Sequence, residues 1–219
     1  MKQNLFALSI SIILLLTGCL NYEQVTTIRS DGSGEMYIHY WTVFRTEYDT
    51  SLINKINIFN TDSIRKEFTS EYIELKGVEV YKDYSDSTIH GKIELDFYSF
   101  DSLNLTDAFI GTSFSIKDGP EENKIFSQFI TPFASGFGFD ADAFVMKYTY
   151  YLPGKITKHN AHEKSNNKLV WEYTLSEIGS GKTINATYVP FRLKGTPTWI
   201  YLLALFVIIV VIIFLFKKK

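Results

Sequence analysis

Apolar and polar residues alternate along much of the chain, which is the pattern of β-strands with one buried face. The clearest alternation covers residues 89–98, where the apolar face consists of Ile89, Ile93, Leu95 and Phe97. Residues 25–28 and 35–41 flank the turn Asp31–Gly34 and predict a hairpin. Residues 114–117 and 124–130 flank the polar turn DGPEEN and predict a second hairpin, and residues 144–152 form a strand that ends at Pro153-Gly154.

Two segments have helical spacing instead. Asp62 is a suitable N-cap for a helix with one apolar stripe of Ile64, Phe68 and Tyr72, which Gly77 would end. A second short helix is predicted from Asp101 to Phe109. Strands interrupted by two short helices predict an α+β domain with a mostly antiparallel β-sheet, followed by a single C-terminal transmembrane helix.

The transmembrane prediction rests on Trp199–Phe216, WIYLLALFVIIVVIIFLF, which contains no charged residue, Gly or Pro. Such a helix rises about 27 Å, close to the ~30 Å hydrocarbon thickness of a bilayer. The three lysines after it predict a cytoplasmic end. We therefore assign residues 197–219 to a membrane helix with a short basic cytoplasmic tail.

The other end of the sequence also indicates a membrane. A basic start and the apolar run Leu5–Leu16 are typical of a signal peptide, here residues 1–18. The quartet Leu16-Thr17-Gly18-Cys19 resembles a bacterial lipobox, which predicts that Cys19 carries acyl chains such as palmitate. The alternative is an uncleaved anchor in which Cys19 is an ordinary apolar residue. In either case residues 19–196 form one extracytoplasmic domain on the cell membrane.

Charge narrows the range of partners. Four of the 22 lysines and arginines, Lys2 and the last three lysines, lie in the end segments, so 18 remain in the domain against 24 acidic residues. An acidic domain of this kind does not predict nucleic-acid binding.

The stretch Ile178–Thr183, IGSGKT, raises the question of a nucleotide site. A phosphate-binding loop needs a glycine five positions before Gly181 and a helix after the loop. The sequence has Ser176 there, and residues 183–189 are typical of a strand. We interpret the stretch as a glycine-rich hairpin turn and expect no nucleotide.

Candidate chemistry is sparse. His159 and His162, with Glu163, could offer ligands to zinc, but they lie in a polar loop and lack the H-E-x-x-H order. Asp140 and Asp142 lack the glycine and the glutamate of a calcium loop. We therefore assign no catalytic residue, no metal site and no cofactor.

Aromatic residues are abundant, with 18 Phe, 14 Tyr and 3 Trp. The least regular segment, residues 131–143, contains Phe133, Phe137 and Phe139 among glycines. One interpretation is that these rings belong to the core of a domain without disulfides. The other is that they contact an apolar ligand or the membrane.

The segment YLPGKITKHNAHEKSNNKLVWEYTL, followed by INATYVPF, resembles the C-terminal half of the LppM-type bacterial lipoprotein family. The resemblance rests on Pro153-Gly154, Asn160 and Val170-Trp171. The early DGSGEMYI, the lipobox and the C-terminal helix are also similar to the family. The resemblance implies an envelope lipoprotein with lipid or glycolipid binding as a role, and it transfers no catalytic residues.

These observations predict a membrane-anchored, non-enzymatic binding or assembly factor of the cell envelope, with an apolar ligand site. Its expected partners are the membrane and a lipid or an envelope protein. The alternative is an envelope enzyme that acts on lipid or cell wall through residues the sequence does not identify. Convergence of His159, His162 and an acid in one pocket would favour the enzyme, whereas a closed apolar cavity would favour the binding protein.

Overall fold

The structure is a computed structural model that describes residues 20–44, 51, 53, 57–132, 142, 144–191 and 198–217. These residues form eleven strands, three α-helices and three short 3-10 helices. The strands are β1 (Leu20–Ile28), β2 (Gly34–Val43), β3 (Ile73–Asp83), β4 (Thr88–Phe97), β5 (Ser113–Asp118), β6 (Lys124–Ile130), β7 (Val145–Tyr151), β8 (Gly154–His159), β9 (Glu163–Ser165), β10 (Lys168–Thr174) and β11 (Lys182–Pro190). The helices are α1 (Thr61–Phe68), α2 (Leu175–Ile178) and α3 (Thr198–Lys217).

The strands form two sheets. The larger sheet has the order β3-β4-β2-β1-β7-β10-β9, and the smaller sheet has the order β5-β6-β11-β8. Strand pairs are antiparallel except β1 and β7, which run parallel with Asn21 opposite Val145. The predicted α+β class with a mostly antiparallel sheet and a C-terminal helix is confirmed.

The alternation seen in the sequence places the core. Along β4 the residues of the predicted apolar face are buried. The inner faces of the two sheets meet at three fully buried rings, Phe126 of β6, Tyr150 of β7 and Trp171 of β10. The Phe126 and Tyr150 ring centroids are 4.6 Å apart, and those of Phe126 and Trp171 are 6.1 Å apart. Much of the aromatic content of the chain therefore lies between the sheets.

The first predicted helix is too long. Helix α1 begins after Asn60, whose side chain accepts a hydrogen bond from the Ser63 amide, and it ends at Phe68. The cap is therefore Asn60 and not Asp62. Gly77 lies inside β3, at the position where the pairing register with β4 shifts. Residues from Ile73 onward pair with the exposed edge of β4, and those ladder hydrogen bonds outweigh the local helical stripe.

The second predicted helix is replaced by two 3-10 helices, Asp101–Leu105 and Asp107–Phe109. Asn104 accounts for the 3-10 conformation of this segment. Its side chain donates to the Phe114 carbonyl at 2.8 Å and accepts from the Phe114 amide at 2.7 Å. These bonds dock the segment on β5. Buried Phe109 then meets Phe68 of α1 with ring centroids 5.7 Å apart, so α1 and the second 3-10 helix pack together beside the sheets.

Helix α3 is the one described helix that is long and apolar enough to cross a membrane, over Thr198–Phe216. Its side chains are exposed along that length. An apolar surface of this size in water is strongly unfavourable, so the helix associates with a membrane.

Candidate functional site

An apolar cavity of about 470 Å³ lies between the larger sheet, β6 and α1. Ligand pockets in proteins commonly have volumes of about 300–1,000 Å³. The wall on the sheet side comes from β1, β2, β4 and β7, and the opposite wall comes from α1, the second 3-10 helix and β6.

The interior of the cavity is apolar. Strand residues alternate in direction, so Leu20, Ile38 and Met146 point from the larger sheet into the same space. Ile64 and Phe68 lie one helical turn apart on the buried face of α1 and form the opposite wall. All five of these side chains are buried, so the inner wall of the cavity is hydrocarbon.

The outer part of the lining is polar. It includes Asn57, Ser63 and Glu67 on one side and Thr112 and Thr131 on the other. These residues are exposed or half-buried, unlike the interior ones. An apolar interior below a polar rim is suited to an amphiphilic molecule whose head remains at the rim.

Glu67 is the one charged residue in the described lining. Burial raises the pKa of its carboxyl, and the negative charge of Asp107 raises it further. Glu67 in turn helps to raise the pKa of Tyr40, after the larger effect of burial. The rim therefore disfavours a second negative charge.

Two buried glutamines interrupt the apolar lining. The Gln24 amide donates to the Thr26 hydroxyl at 3.0 Å and to the Tyr150 hydroxyl at 2.8 Å. Its carbonyl accepts from the Tyr22 hydroxyl at 3.0 Å, and the Tyr150 hydroxyl donates to the Gln128 carbonyl at 2.6 Å. These bonds hold both carboxamides in place, as required of polar groups buried in a core. Sequence analysis did not reveal this network, because its members come from three strands.

The predicted site residues Cys19, Phe133, Phe137 and Phe139 lie outside the described residues, and their roles remain predictions. The described residues on either side of the Phe-Gly segment are informative, however. Thr131 and Phe144 both line the cavity, so the segment starts and ends at the cavity wall.

The candidate zinc histidines do not converge. His159 accepts a hydrogen bond from the Ala161 amide at 3.2 Å, and His162 accepts one from the Glu172 amide at 3.0 Å. Among the described residues no group of three or more His, Cys, Asp or Glu side chains could hold a metal ion. The described residues therefore do not show the convergence of His159, His162 and an acid that would favour an envelope enzyme.

The IGSGKT stretch begins at the end of the four-residue helix α2 and leads into β11. Gly179 and Gly181 both have positive φ, which explains the glycines. Lys182 lies over the Tyr173 ring, 4.7 Å from its centroid, and donates to the Glu177 carbonyl. A strand follows the glycines, as predicted, but the predicted hairpin is wrong, because β10 and β11 lie in different sheets and do not pair. The turn is built unlike a phosphate loop.

A histidine pair on the outer face of the larger sheet was missed by sequence analysis. His39 Nε2 lies 3.0 Å from His90 Nδ1, and His90 Nε2 lies 2.7 Å from the Thr88 hydroxyl, which bonds the Asp86 carboxylate. Because the carboxylate only accepts, Thr88 donates to it and accepts from His90. His90 Nδ1 then accepts from His39. The pairing of Trp41 with His90 across β2 and β4 sets this geometry.

We expect the histidine pair to make the fold sensitive to acid. Burial lowers the pKa of His39, with smaller effects of His90 and Lys92, and burial also lowers the pKa of His90 despite nearby Asp86 and Asp83. The unfolded chain therefore binds more protons below about pH 6.5. Stability should fall as pH drops from about 6.5 to the lowered folded pKa values. The melting temperature should decrease by a few degrees, because both rings are partly exposed.

The measurement is thermal unfolding by near-ultraviolet circular dichroism between pH 7.5 and 5. Replacing His39 and His90 together by Gln should flatten the profile over this window. His159→Gln, at the exposed end of β8, is the matched control and should keep the wild-type slope. Equal slopes for all three proteins would contradict the assignment.

The fold is distantly similar to solved structures of known proteins. The NMR structure of the folded domain of LppM from Mycobacterium tuberculosis matches with a TM-score of 0.47 and 14% sequence identity. The match covers 81% of this chain and 94% of that domain. Neither a protein-family model nor a curated protein matches the sequence. A similarity this distant does not assign a function, so the cavity carries the functional argument.

Proposed function

We propose that this protein is a membrane-anchored envelope lipoprotein that binds a lipid in its cavity and does not catalyse a reaction. The observation that carries the proposal is the cavity of about 470 Å³, which is lined by apolar side chains inside and by polar ones at its opening. A hydrocarbon chain in this space would make dispersion contacts with the buried lining, and these contacts favour binding of a lipid.

The lining indicates the chemical class of the ligand. The interior fits hydrocarbon, and the buried carboxamides of Gln24 and Gln128 offer a small number of fixed polar groups. At the rim, Glu67 would repel a phosphate or a carboxylate, and the described lining contains no Lys, Arg or His. We therefore infer an amphiphile with an acyl chain and an uncharged head.

The location follows from the two ends of the sequence. In this proposal helix α3 is the membrane anchor, and the lysines at its end favour a cytoplasmic C-terminus. Cys19 adds an acyl anchor on the opposite side. Because one acyl chain binds membranes only marginally, α3 is the permanent anchor and the lipid positions the domain.

The test uses the full-length protein in lipid nanodiscs with a long-chain alcohol that carries a photoreactive diazirine. After irradiation, peptide mass spectrometry should find the probe on α3, which the bilayer surrounds, and also on α1 and β7. Ala108→Trp places a large side chain in the cavity lining and should reduce labelling of α1 and β7 several-fold. Labelling of α3 should not change.

Lys155→Trp is the matched control, because Lys155 is exposed on β8 and does not line the cavity. It should label like the wild type. Labelling confined to α3 in the wild type, or equal labelling of α1 in both variants, would contradict ligand binding in the cavity. A carboxylate probe of the same chain length should label α1 less than the alcohol does. In the Glu67→Gln variant, labelling of α1 by the carboxylate probe should rise to the level of the alcohol.

A further inference from the structure

The cavity lies at one end of the domain, the end where the chain emerges from its N-terminal segment. Leu20 begins β1 and is the residue directly after Cys19. Strand β7 starts beside it, because β1 and β7 run parallel, and Phe144 immediately precedes β7. Leu20 and Phe144 both line the cavity. The cavity and the predicted lipid attachment point are therefore neighbours.

The same end carries the two most exposed large apolar side chains of the described domain outside α3. Tyr84 is 78% exposed and Ile110 is 75% exposed. Tyr84 lies in the β3–β4 turn beside Phe44, with ring centroids 6.0 Å apart. Phe44 lies two residues beyond Thr42, the partner of Leu20. Ile110 lies in the turn before β5, between the cavity-lining residues Phe109 and Thr112.

From these positions we propose that the end formed by Leu20, Phe44, Tyr84 and Ile110, the docking end, rests on the lipid bilayer and that the cavity exchanges its ligand directly with the membrane. The exchange step rests on the proposed lipid binding, whereas the docking does not. Tyr and Phe side chains, with an apolar body and in Tyr a polar tip, are suited to the membrane–water interface.

The N-terminal connection favours this orientation. Cys19, the predicted lipidation site, directly precedes Leu20 in the sequence. Leu20 is itself 4% exposed and fixed at the start of β1. Acyl chains on Cys19 would therefore hold this end of β1 close to the bilayer surface.

The C-terminal connection limits the tilt of the domain. The Phe191 amide donates to the Pro153 carbonyl at 2.9 Å, close to Tyr151, which is the partner of Thr27. Thr27 and Leu20 are seven residues apart on β1, or about 23 Å at ~3.3 Å per residue. Residues 192–197 span at most about 25 Å before α3. The linker therefore just reaches the bilayer when the docking end rests on it, and the opposite end of the domain cannot rise much further.

Charge does not drive this contact. Lys82 lies 5.2 Å from the Phe44 ring centroid, but Asp83 and Asp86 are in the same turn region and Glu67 is at the cavity rim. Docking should therefore depend on apolar contact and on the anchors, with little response to salt or to anionic lipid.

The test places single cysteines in the full-length protein in nanodiscs, each labelled with an environment-sensitive fluorophore. The sites are Tyr84→Cys and Ile110→Cys at the docking end. Tyr98→Cys is the matched control, because Tyr98 is 60% exposed and lies at the opposite end, directly after β4. An acylated Cys19 cannot react with the fluorophore. The protein without an added cysteine is labelled in parallel to measure background labelling at Cys19.

Lipids that carry a nitroxide on the acyl chain should quench the labels at 84 and 110 at least about threefold more than the label at 98. The ratio should persist at 0.5 M salt. Equal quenching at the three sites, or quenching at 98 alone, would overturn docking. Docking confirmed without any diazirine labelling of α1 would instead overturn the ligand proposal, so the two failures are distinguishable.

Ligand exchange is measured as transfer of a fluorescent long-chain alcohol from the protein to acceptor vesicles. If exchange occurs in contact with the membrane, the rate should rise in proportion to the vesicle concentration. The double variant Tyr84→Ser, Ile110→Ser should slow transfer several-fold while the amount of alcohol bound stays the same. A rate independent of vesicle concentration would overturn direct exchange.

Discussion

Trp171→Ala should unfold the β-sheet domain or leave it barely stable. The indole is fully buried between the two sheets, against Phe126 and Tyr150 with centroids 6.1 Å from each. Removing such a ring typically costs about 3–5 kcal/mol. The variant also removes the donor to Asn160, whose side-chain oxygen accepts from the indole at 2.9 Å. Native domains have a free energy of unfolding of about 5–15 kcal/mol. The substitution would therefore remove a large part of it.

The measurement is urea unfolding of the detergent-solubilised protein, followed by near-ultraviolet circular dichroism. Trp41→Ala is the control, because Trp41 is half-buried on the outer face of β2 and should cost far less. The same Asn160 oxygen also accepts from the Asn185 amide at 2.9 Å, so Asn160 links β10 to β11. A loss below about 1 kcal/mol for Trp171→Ala would contradict the central role of this ring in the core.

Gly34→Ala should be nearly as damaging, although it adds a single methyl group. An added Cβ at Gly34 would lie 2.2 Å from the Thr27 carbonyl oxygen and 2.4 Å from Cζ of Phe97. The first of these atoms is backbone in the paired strand β1, and Phe97 is 1% exposed in the core. Neither neighbour moves cheaply, so we expect a loss of about 3 kcal/mol, the upper end for overpacking.

Gly77→Ala is the matched control within the same sheet. An added Cβ there meets its nearest atom, Glu94 Oε2, at 4.0 Å, and Gly77 has no positive φ. Alanine should be neutral or stabilising by up to about 1 kcal/mol, because it restricts the unfolded chain. Similar losses for both variants, in the same urea assay, would show that the contact with Thr27 and Phe97 does not set the cost at Gly34.

Local pattern was sufficient wherever a strand has one buried face. The alternation over residues 89–98 predicted β4 and its buried side, and the turn Asp31–Gly34 predicted the β1–β2 hairpin. In a strand with one buried face every second residue is buried, so a short stretch of sequence is enough to predict the strand and its buried side. The Trp199–Phe216 segment was equally decisive, because its length and uniform apolarity suit a bilayer.

Pattern failed where partners distant in sequence decide the outcome. The helical stripe of Ile64, Phe68 and Tyr72 predicted a helix that continues to Gly77, but the free edge of β4 draws the chain from Ile73 into a strand. Tertiary pairing overrides local propensity in this way because ladder bonds and burial exceed the small propensity differences. The parallel pairing of β1 with β7 was likewise not predictable, since more than a hundred residues separate the two strands.

For function, residue patterns were enough to identify a segment long and apolar enough to cross a membrane and a domain that is acidic and rich in aromatic residues. Packing alone revealed that Leu20, Met146 and Ile64 line one cavity, that His39 meets His90, and that Tyr84 lies at the same end of the larger sheet as Leu20. The physical reason is that a segment's own composition sets its affinity for a bilayer. A cavity or a side-chain pair is a relation between strands and helices, and it exists only after packing brings them together.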